Sequence, residues 1–283
     1  MKQCAIIGVG LIGGSFGLAL KSRGFSGRIT GVGRPETLAR AQACGAIDEA
    51  FEQVEPAVAG ADLVLLATPI LAILDLLERV RRAVPESALV TDVGSTKARI
   101  VERAATLYSD GPLFIGGHPL AGREKRGVEA AEADLFVGAR YVLTPSLRTH
   151  LETAPAREFL LWIERFGARA VVMDAELHDQ IVAWTSHLPQ LAATALASTV
   201  AENLTDQEDL QLSGSGLRDT TRLAESPYRV WRDVCLTNTE NLEMALSALV
   251  QKLEHLRENL RTRALEEEFL HAQGLRVRMK NEE

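Results

Sequence analysis

The sequence predicts a doubly wound α/β domain followed by an all-helical domain, and three observations carry that expectation. Short apolar runs alternate with helical patterns through the first 172 residues. A glycine-rich turn stands where the first run meets the first helix. Beyond residue 172 strand-like runs nearly stop, and long helical stretches take over, one with a leucine seam. The expected domains are therefore 1–172 and 173–283.

Composition narrows the class. A hydrophobic share of 46% and a charged share of 24% in 283 residues fit a soluble globular protein with a sizeable core. The net charge of −7 opposes binding to a phosphate backbone, so no nucleic-acid partner is expected. No apolar run approaches the roughly 20 residues that a bilayer span needs, and no membrane partner is expected. The N-terminal apolar segment, interrupted at Gly8, is too short for a signal peptide, which implies a cytoplasmic protein. Cys4, Cys44 and Cys235 are sparse and lack metal-ligand spacing, as suits a reducing compartment and no metal.

The elements follow in order. Cys4 to Val9 reads as a strand and Leu11 to Arg23 as a helix stopped by Gly24. Arg28 to Val32 is a second strand, and Leu38 to Cys44 a helix that ends at Gly45. Leu63 to Ala67 is uniformly apolar, as strands buried on both faces are. Pro69 opens a helix with Leu71, Leu74, Leu77 and Val80 on its apolar stripe. Ala88 to Thr91 is the next strand, Lys97 to Leu107 a helix, and Phe114 to Gly116, Arg140 to Leu143 and Ala168 to Val172 the later strands. Ala175 to Glu202 and Asn238 to about His271 read as long helices. In the second, Leu242, Leu246, Leu249, Leu253, Leu256 and Leu260 recur at spacings of four and three. Such a seam predicts a homodimer through the C-terminal helices. The residues after Gly274 read as a ragged tail.

Gly8-Val9-Gly10-Leu11-Ile12-Gly13 follows a strand and opens a helix, the context that makes a glycine fingerprint a dinucleotide site. Gly8 permits the turn, Gly10 lets backbone approach a pyrophosphate, and Gly13 allows close helix–strand packing. The fold is thus Rossmann-type. Leu11, Ile12, Thr68, Pro69, Asp92 and Gly94 complete the expected cofactor-binding set at the same sheet edge. An NAD site usually carries an acid at the end of the second strand. Here that position is Gly33, with Arg34 beside it. Glycine leaves room and arginine supplies a fork for a 2′-phosphate, which predicts NADP, with NAD as the alternative. Glu36 is the remaining carboxylate within reach of the ribose.

Three segments carry candidate chemistry. Thr91-Asp92-Val93-Gly94-Ser95-Thr96-Lys97 places hydroxyls and a helix N-terminus at the cofactor edge, where N-capping by Ser95 or Thr96 is compatible with function. Gly116-Gly117-His118-Pro119 places His118 at the same edge as a general base. In the helical half, Trp184-Thr185-Ser186-His187-Leu188-Pro189 sets a second histidine beside a helix-interrupting proline. Asp219 and Arg222, three apart, share a helix face, so Arg222 can meet a carboxylate while Asp219 orients it, or the two form a surface ion pair.

Taken together, GVGLIGGS, DVGSTK, GGHPLAGRE, SHLPQ and GLRDTTRLAESPYRVWRD resemble the prephenate/arogenate dehydrogenase family of tyrosine biosynthesis over Gly8 to Trp231. The resemblance implies that His118 is the catalytic histidine that accepts the proton of the ring 4-hydroxyl. It implies that Ser95 bonds that hydroxyl, that His187 binds substrate, and that Arg222 clamps a substrate carboxylate with support from Asp219. Glu124 and Trp231 match pocket-gating positions, and the helical domain makes the dimer. Arg123 departs from the small hydroxyl residue that many relatives carry, adding positive charge to the pocket. The implied reaction is oxidative decarboxylation of prephenate with hydride transfer to NAD(P); arogenate is the alternative substrate. Two readings of other kinds compete: a dehydrogenase of hydroxy acids or imines, and a non-catalytic nucleotide sensor. The former would lean on a catalytic lysine in the helical domain or on no histidine at the sheet edge, although that domain's clearest lysine, Lys252, lies far along the leucine helix.

Overall fold

A computed structural model describes residues 1–122 and 126–280. Among them one eight-stranded sheet runs in the order β3-β2-β1-β4-β5-β6-β7-β8. Its strands are β1 (Gln3–Ile7), β2 (Arg28–Val32), β3 (Glu49–Phe51), β4 (Leu63–Leu66), β5 (Leu89–Asp92), β6 (Leu113–Pro119), β7 (Arg140–Pro145) and β8 (Arg169–Val172). Strands β1 to β6 are mutually parallel in the 3-2-1-4-5-6 order of dinucleotide-binding sheets. Strand β7 runs antiparallel to β6, and β8 is parallel to β7.

The helices of this half are α1 (Leu11–Ser22), α2 (Pro35–Ala43), α3 (Val54–Val58), α4 (Ile70–Ala83), α5 (Ala98–Leu107) and α6 (Ala154–Arg165). Alternate strand residues feed the two faces of the sheet. Cys4, Ile6, Leu63 and Leu65 pack with α1 and α6 around Phe16, Phe136, Phe159 and Phe166. Ala5, Ile7, Val64, Leu66 and Val90 pack with α3, α4 and α5. Burial on both faces explains why Leu63-Val64-Leu65-Leu66 is apolar throughout. The aromatic cluster is tight: the rings of Phe16 and Phe166 meet edge to face at 5.1 Å.

Beyond β8 come α7 (Ala175–Val182), α8 (Leu188–Asn203), α9 (Gln207–Leu210), α10 (Ser215–Thr221), α11 (Tyr228–Thr237), α12 (Thr239–Glu258) and α13 (Ala264–Lys280). The stretch expected as one helix from Ala175 to Glu202 is divided by a wide π turn at Ala183–His187. Pro189 explains it: lacking an N–H, it sits in the first turn of α8, where no intrahelical donor is required. The second long stretch is likewise two helices, since α12 ends at Glu258 and α13 begins at Ala264. Leu260 falls in the connection between them. The expected ragged tail is corrected: α13 continues through Gly274 to Lys280.

The chain forms two compact units, Met1–Thr239 and Glu240–Glu283. The sheet and α7 to α11 belong to the first, so the contact boundary lies well past residue 172. In the second, Lys252 reaches Glu268 at 2.6 Å, tying α12 to α13. No helix among the described residues is long and apolar enough to cross a membrane.

Candidate active site

The carboxyl edge of the parallel strands is where the sequence expects chemistry, and the first unit concentrates its buried polar groups there. Gly8 takes a positive φ of 96°, and a Cβ would stand 2.5 Å from the Ala67 carbonyl oxygen. At Gly13 a Cβ would stand 2.3 Å from the Gly8 carbonyl oxygen. Around Gly10, by contrast, nothing lies within 4 Å of where a Cβ would be. Gly10 is the N-cap of α1, and no side chain caps the first N–H groups of that helix.

Two neighbouring helix N-termini are capped from afar. The buried Asp233 of α11 accepts the Leu71 N–H at 3.2 Å in the first turn of α4. The buried Asp179 of α7 accepts the Lys97 and Ala98 N–H groups at 2.7 and 2.9 Å, closing the start of α5. Carboxylates already neutralise both positive helix ends, while the α1 end stays open for an anion. The residues present therefore fit a dinucleotide pyrophosphate at α1. Thr68 is half-buried and Pro69 exposed at the end of β4. Gly33 has only the Leu38 side chain near its missing Cβ, at 3.8 Å, and Arg34 is exposed at the start of α2.

Asp92, expected among the cofactor residues, is fully buried beneath the edge. It accepts the Gly94 N–H at 2.8 Å and the Gly117 N–H at 3.1 Å, and pairs with the Lys97 ammonium. Lys97 also donates to the Gly117 carbonyl at 2.8 Å. This pair joins the loop after β5 to the β6 residue that precedes His118. Burial lowers the Lys97 pKa, against the opposing attraction of Asp92 and Asp179.

His118 is half-buried near the end of β6, and its Nδ1 lies 2.9 Å from Nε2 of His178. His178 Nδ1 in turn lies 2.7 Å from an Asp179 carboxylate oxygen. Burial, then the neighbouring His178, Lys97 and His187, hold the His118 pKa well below 6.5. A base must be neutral to accept a proton, so its lowered pKa keeps it competent in mildly acidic solution. The acid limb of kcat/KM is expected below pH 6.5, which a pH–rate profile checks.

His187 ends the π turn and is buried. Asn238 donates through its side-chain amide to the Asp179 carbonyl at 2.9 Å, which orients the amide. The same nitrogen lies 3.3 Å from His187 Nδ1. His187 Nδ1 thus accepts, and its proton resides on Nε2, a buried atom with no partner among the described residues. Burial pulls its pKa down to about 4, with His178 adding and Asp179 opposing. A neutral N–H donor without a partner is suited to an acceptor on a ligand. Trp231 packs edge to face on this ring at 5.8 Å and donates to Ser226 at 2.9 Å.

Of the expected site residues, the structure brings His118 and His187 into one network through His178, Asp179 and Asn238, with Trp231 against it. Ser95 is half-buried in the loop between β5 and α5. Asp219 lies in α10 and Arg222 in the turn that follows, both exposed; Gln190 of α8 holds that turn by donating to Leu223 O at 2.8 Å. Arg123 and Glu124 lie outside the described residues. Sequence reasoning missed Lys97, His178, Asp179, Asp233 and Asn238 as parts of the site. The adjacent His-Asp pair in the first helix after the sheet was the available signal.

Comparison with known proteins gives two family matches. Residues 16–172 match a model described as prephenate dehydrogenase, nucleotide-binding domain, and residues 174–273 one described as prephenate dehydrogenase, dimerization domain. A prephenate dehydrogenase of Lactococcus lactis is 38% identical over 85% of this chain, which spans 66% of that protein. A cyclohexadienyl dehydrogenase of Zymomonas mobilis is 32% identical over 99% of this chain and 97% of its own length. Among solved structures, prephenate dehydrogenase from Aquifex aeolicus in complex with hydroxyphenyl propionate and NAD+ superposes with a TM-score of 0.88 at 33% identity, covering 100% of this chain and 99% of that one.

Proposed function

Since the chain belongs to the prephenate dehydrogenase family of NAD(P)-using oxidoreductases, we propose that it oxidatively decarboxylates prephenate to 4-hydroxyphenylpyruvate for tyrosine synthesis in the cytoplasm. The observation that carries this reading is the half-buried His118, held by His178 at the end of β6, on the same carboxyl edge from which α1 opens after β1. When bound, the nicotinamide supplies a hydride acceptor at its C4.

The protein has three tasks. His118 Nε2 takes the proton of the ring hydroxyl as the carbinol C–H pair leaves as hydride, and the oxygen becomes a carbonyl. The ring carboxylate then departs as carbon dioxide. Its bonding pair enters the ring, and the resulting phenolate oxygen regains the proton from His118. Ser95 bonds the same hydroxyl. Arg222, oriented by Asp219, and the His187 Nε2–H hold the substrate's carboxylate and carbonyl oxygens, fixing the carbinol carbon against the cofactor. Trp231, packed against the His187 ring, closes the pocket. Gly8, Gly10, Leu11, Ile12, Gly13, Thr68, Pro69 and Gly94 line the dinucleotide, with Asp92 bracing them from below. The nucleotide-binding domain runs over 1–172 and the helical domain over 173–283. The Zymomonas mobilis relative, named a cyclohexadienyl dehydrogenase and matched along nearly its whole length, supports arogenate as a second substrate.

NADP is the preferred cofactor in this reading. Support comes from the open flank of Gly33 and the exposed Arg34 beside it. Charge-assisted pairing with a 2′-phosphate is worth about 1.5–3 kcal/mol. Arg34→Ala is therefore expected to lower kcat/KM for NADP by about 10–100-fold and to leave that for NAD nearly unchanged. Steady-state reduction of each nucleotide with prephenate checks this; a strong NAD preference in the wild type defeats it. A nucleotide sensor would bind NADPH yet show no prephenate-dependent turnover.

The protein acts as a homodimer through its C-terminal helices. Leu253 on α12, Leu260 just beyond it, and Phe269, Leu270 and Val277 on α13 are each at least half exposed, an apolar surface that a partner copy would cover.

A further inference from the structure

We propose that His178 and Asp179 form a positioning relay that sets which nitrogen of His118 carries the proton, an inference that rests on His118 being the base. The argument runs outward from the carboxylate. Both Asp179 oxygens accept backbone N–H groups, from Lys97 and Ala98, at 2.7 and 2.9 Å. An acceptor-only carboxylate 2.7 Å from His178 Nδ1 requires the proton on that nitrogen. A neutral His178 then presents Nε2 as an acceptor. His118 Nδ1, 2.9 Å away, must be the donor. The two rings are inclined at 79°, an angle that an in-plane N–H···N bond between them permits.

The consequence is a single tautomer. His118 carries its proton on Nδ1, and Nε2 holds a free lone pair for the substrate hydroxyl. Without the relay a neutral imidazole favours the opposite tautomer, with Nε2 protonated and unable to act as a base. After proton transfer the His118 cation keeps its bond to His178, whose own N–H remains on the Asp179 carboxylate. The anion thus stabilises the cation through an intervening ring. His178 and Asp179 are both about 1% exposed, so water does not substitute for either. Because Asp179 also caps α5 and its carbonyl holds Asn238, the relay ties the base to the element that orients His187.

The test begins with the wild-type full chain. Histidine ring nitrogen-15 spectra at neutral pH are expected to show His118 and His178 both protonated at Nδ1 and bare at Nε2. A protonated Nε2 on His118 would overturn the relay without any variant. Steady-state kinetics follow. His178→Phe should lower kcat by about 10²-fold with little change in KM for prephenate or nucleotide, because the ring is buried against His118 and offers almost no surface to a ligand. His178→Gln, which offers an amide oxygen to the His118 N–H, should recover activity to within about tenfold of wild type. Full turnover in His178→Phe alongside an inactive His118→Asn overturns the relay alone. Full turnover in His118→Asn overturns the base assignment beneath it.

Discussion

Replacing His118 with asparagine is expected to lower kcat by about 10²–10⁴-fold, the usual contribution of a positioned general base. The asparagine amide can still donate to His178 Nε2 from near the place of Nδ1, so the bond that anchors the residue survives. What disappears is the outward nitrogen. The fold and nucleotide affinity should therefore persist, since the open α1 terminus and the glycine turn lie on different segments. Steady-state turnover with prephenate, beside a fluorescence titration of the reduced nucleotide, separates the two. Unchanged kcat removes His118 from the reaction, and lost nucleotide binding points to a structural defect instead.

The second large effect concerns stability. Lys97→Met is expected to cost about 3–5 kcal/mol, the range for breaking a buried ion pair from one side. Lys97 and Asp92 are both fully buried, and the ammonium also holds the Gly117 carbonyl. Methionine fills the volume, yet it leaves a buried carboxylate with only the Gly94 and Gly117 N–H groups and orphans a carbonyl. Adding Asp92→Asn removes the uncompensated charge, so the double variant should lose less than the sum of the singles. Urea unfolding of the four proteins measures this. A loss under about 1 kcal/mol would mean that the pair is not the brace described here.

Most of the sheet could be read from sequence because its signals are local. Arg28 to Val32 was read with its observed bounds, and Leu63 to Ala67 within one residue, since a run buried on both faces announces itself. Strand β3 did not: Glu49-Ala50-Phe51 is three residues long and shows no period. Helix α3 is five residues with a proline inside. Helix α6 has apolar positions at Ala156, Phe159, Trp162 and Ile163, a helical spacing that was present but unread. The π turn was foreshadowed by Pro189 alone, because a proline marks a disturbed ladder without stating how the chain relieves it.

The site divides the same way. Glycines at a strand–helix junction and a histidine at the end of a strand are placed by the fold itself. The relay is not. His118 and His178 are separated by 60 residues, and their pairing depends on how α7 returns over the start of α5. Asp233 reaching Leu71 across 162 residues is another such contact. Lys97 looked like the end of a capping segment, and its burial against Asp92 follows from the loop geometry at the sheet edge rather than from its neighbours in sequence.

The claim on which the rest depends is that a neutral His118 faces the substrate hydroxyl beside a dinucleotide seated on α1. A crystal structure of the full chain with oxidised nucleotide and a hydroxyphenyl carboxylate tests it most directly. The expected result is His118 Nε2 within about 2.6–3.2 Å of the ring hydroxyl, with the pyrophosphate over Gly10. A ligand bound with His118 turned away from it, or a nucleotide seated away from the Gly8–Gly13 turn, would contradict the account.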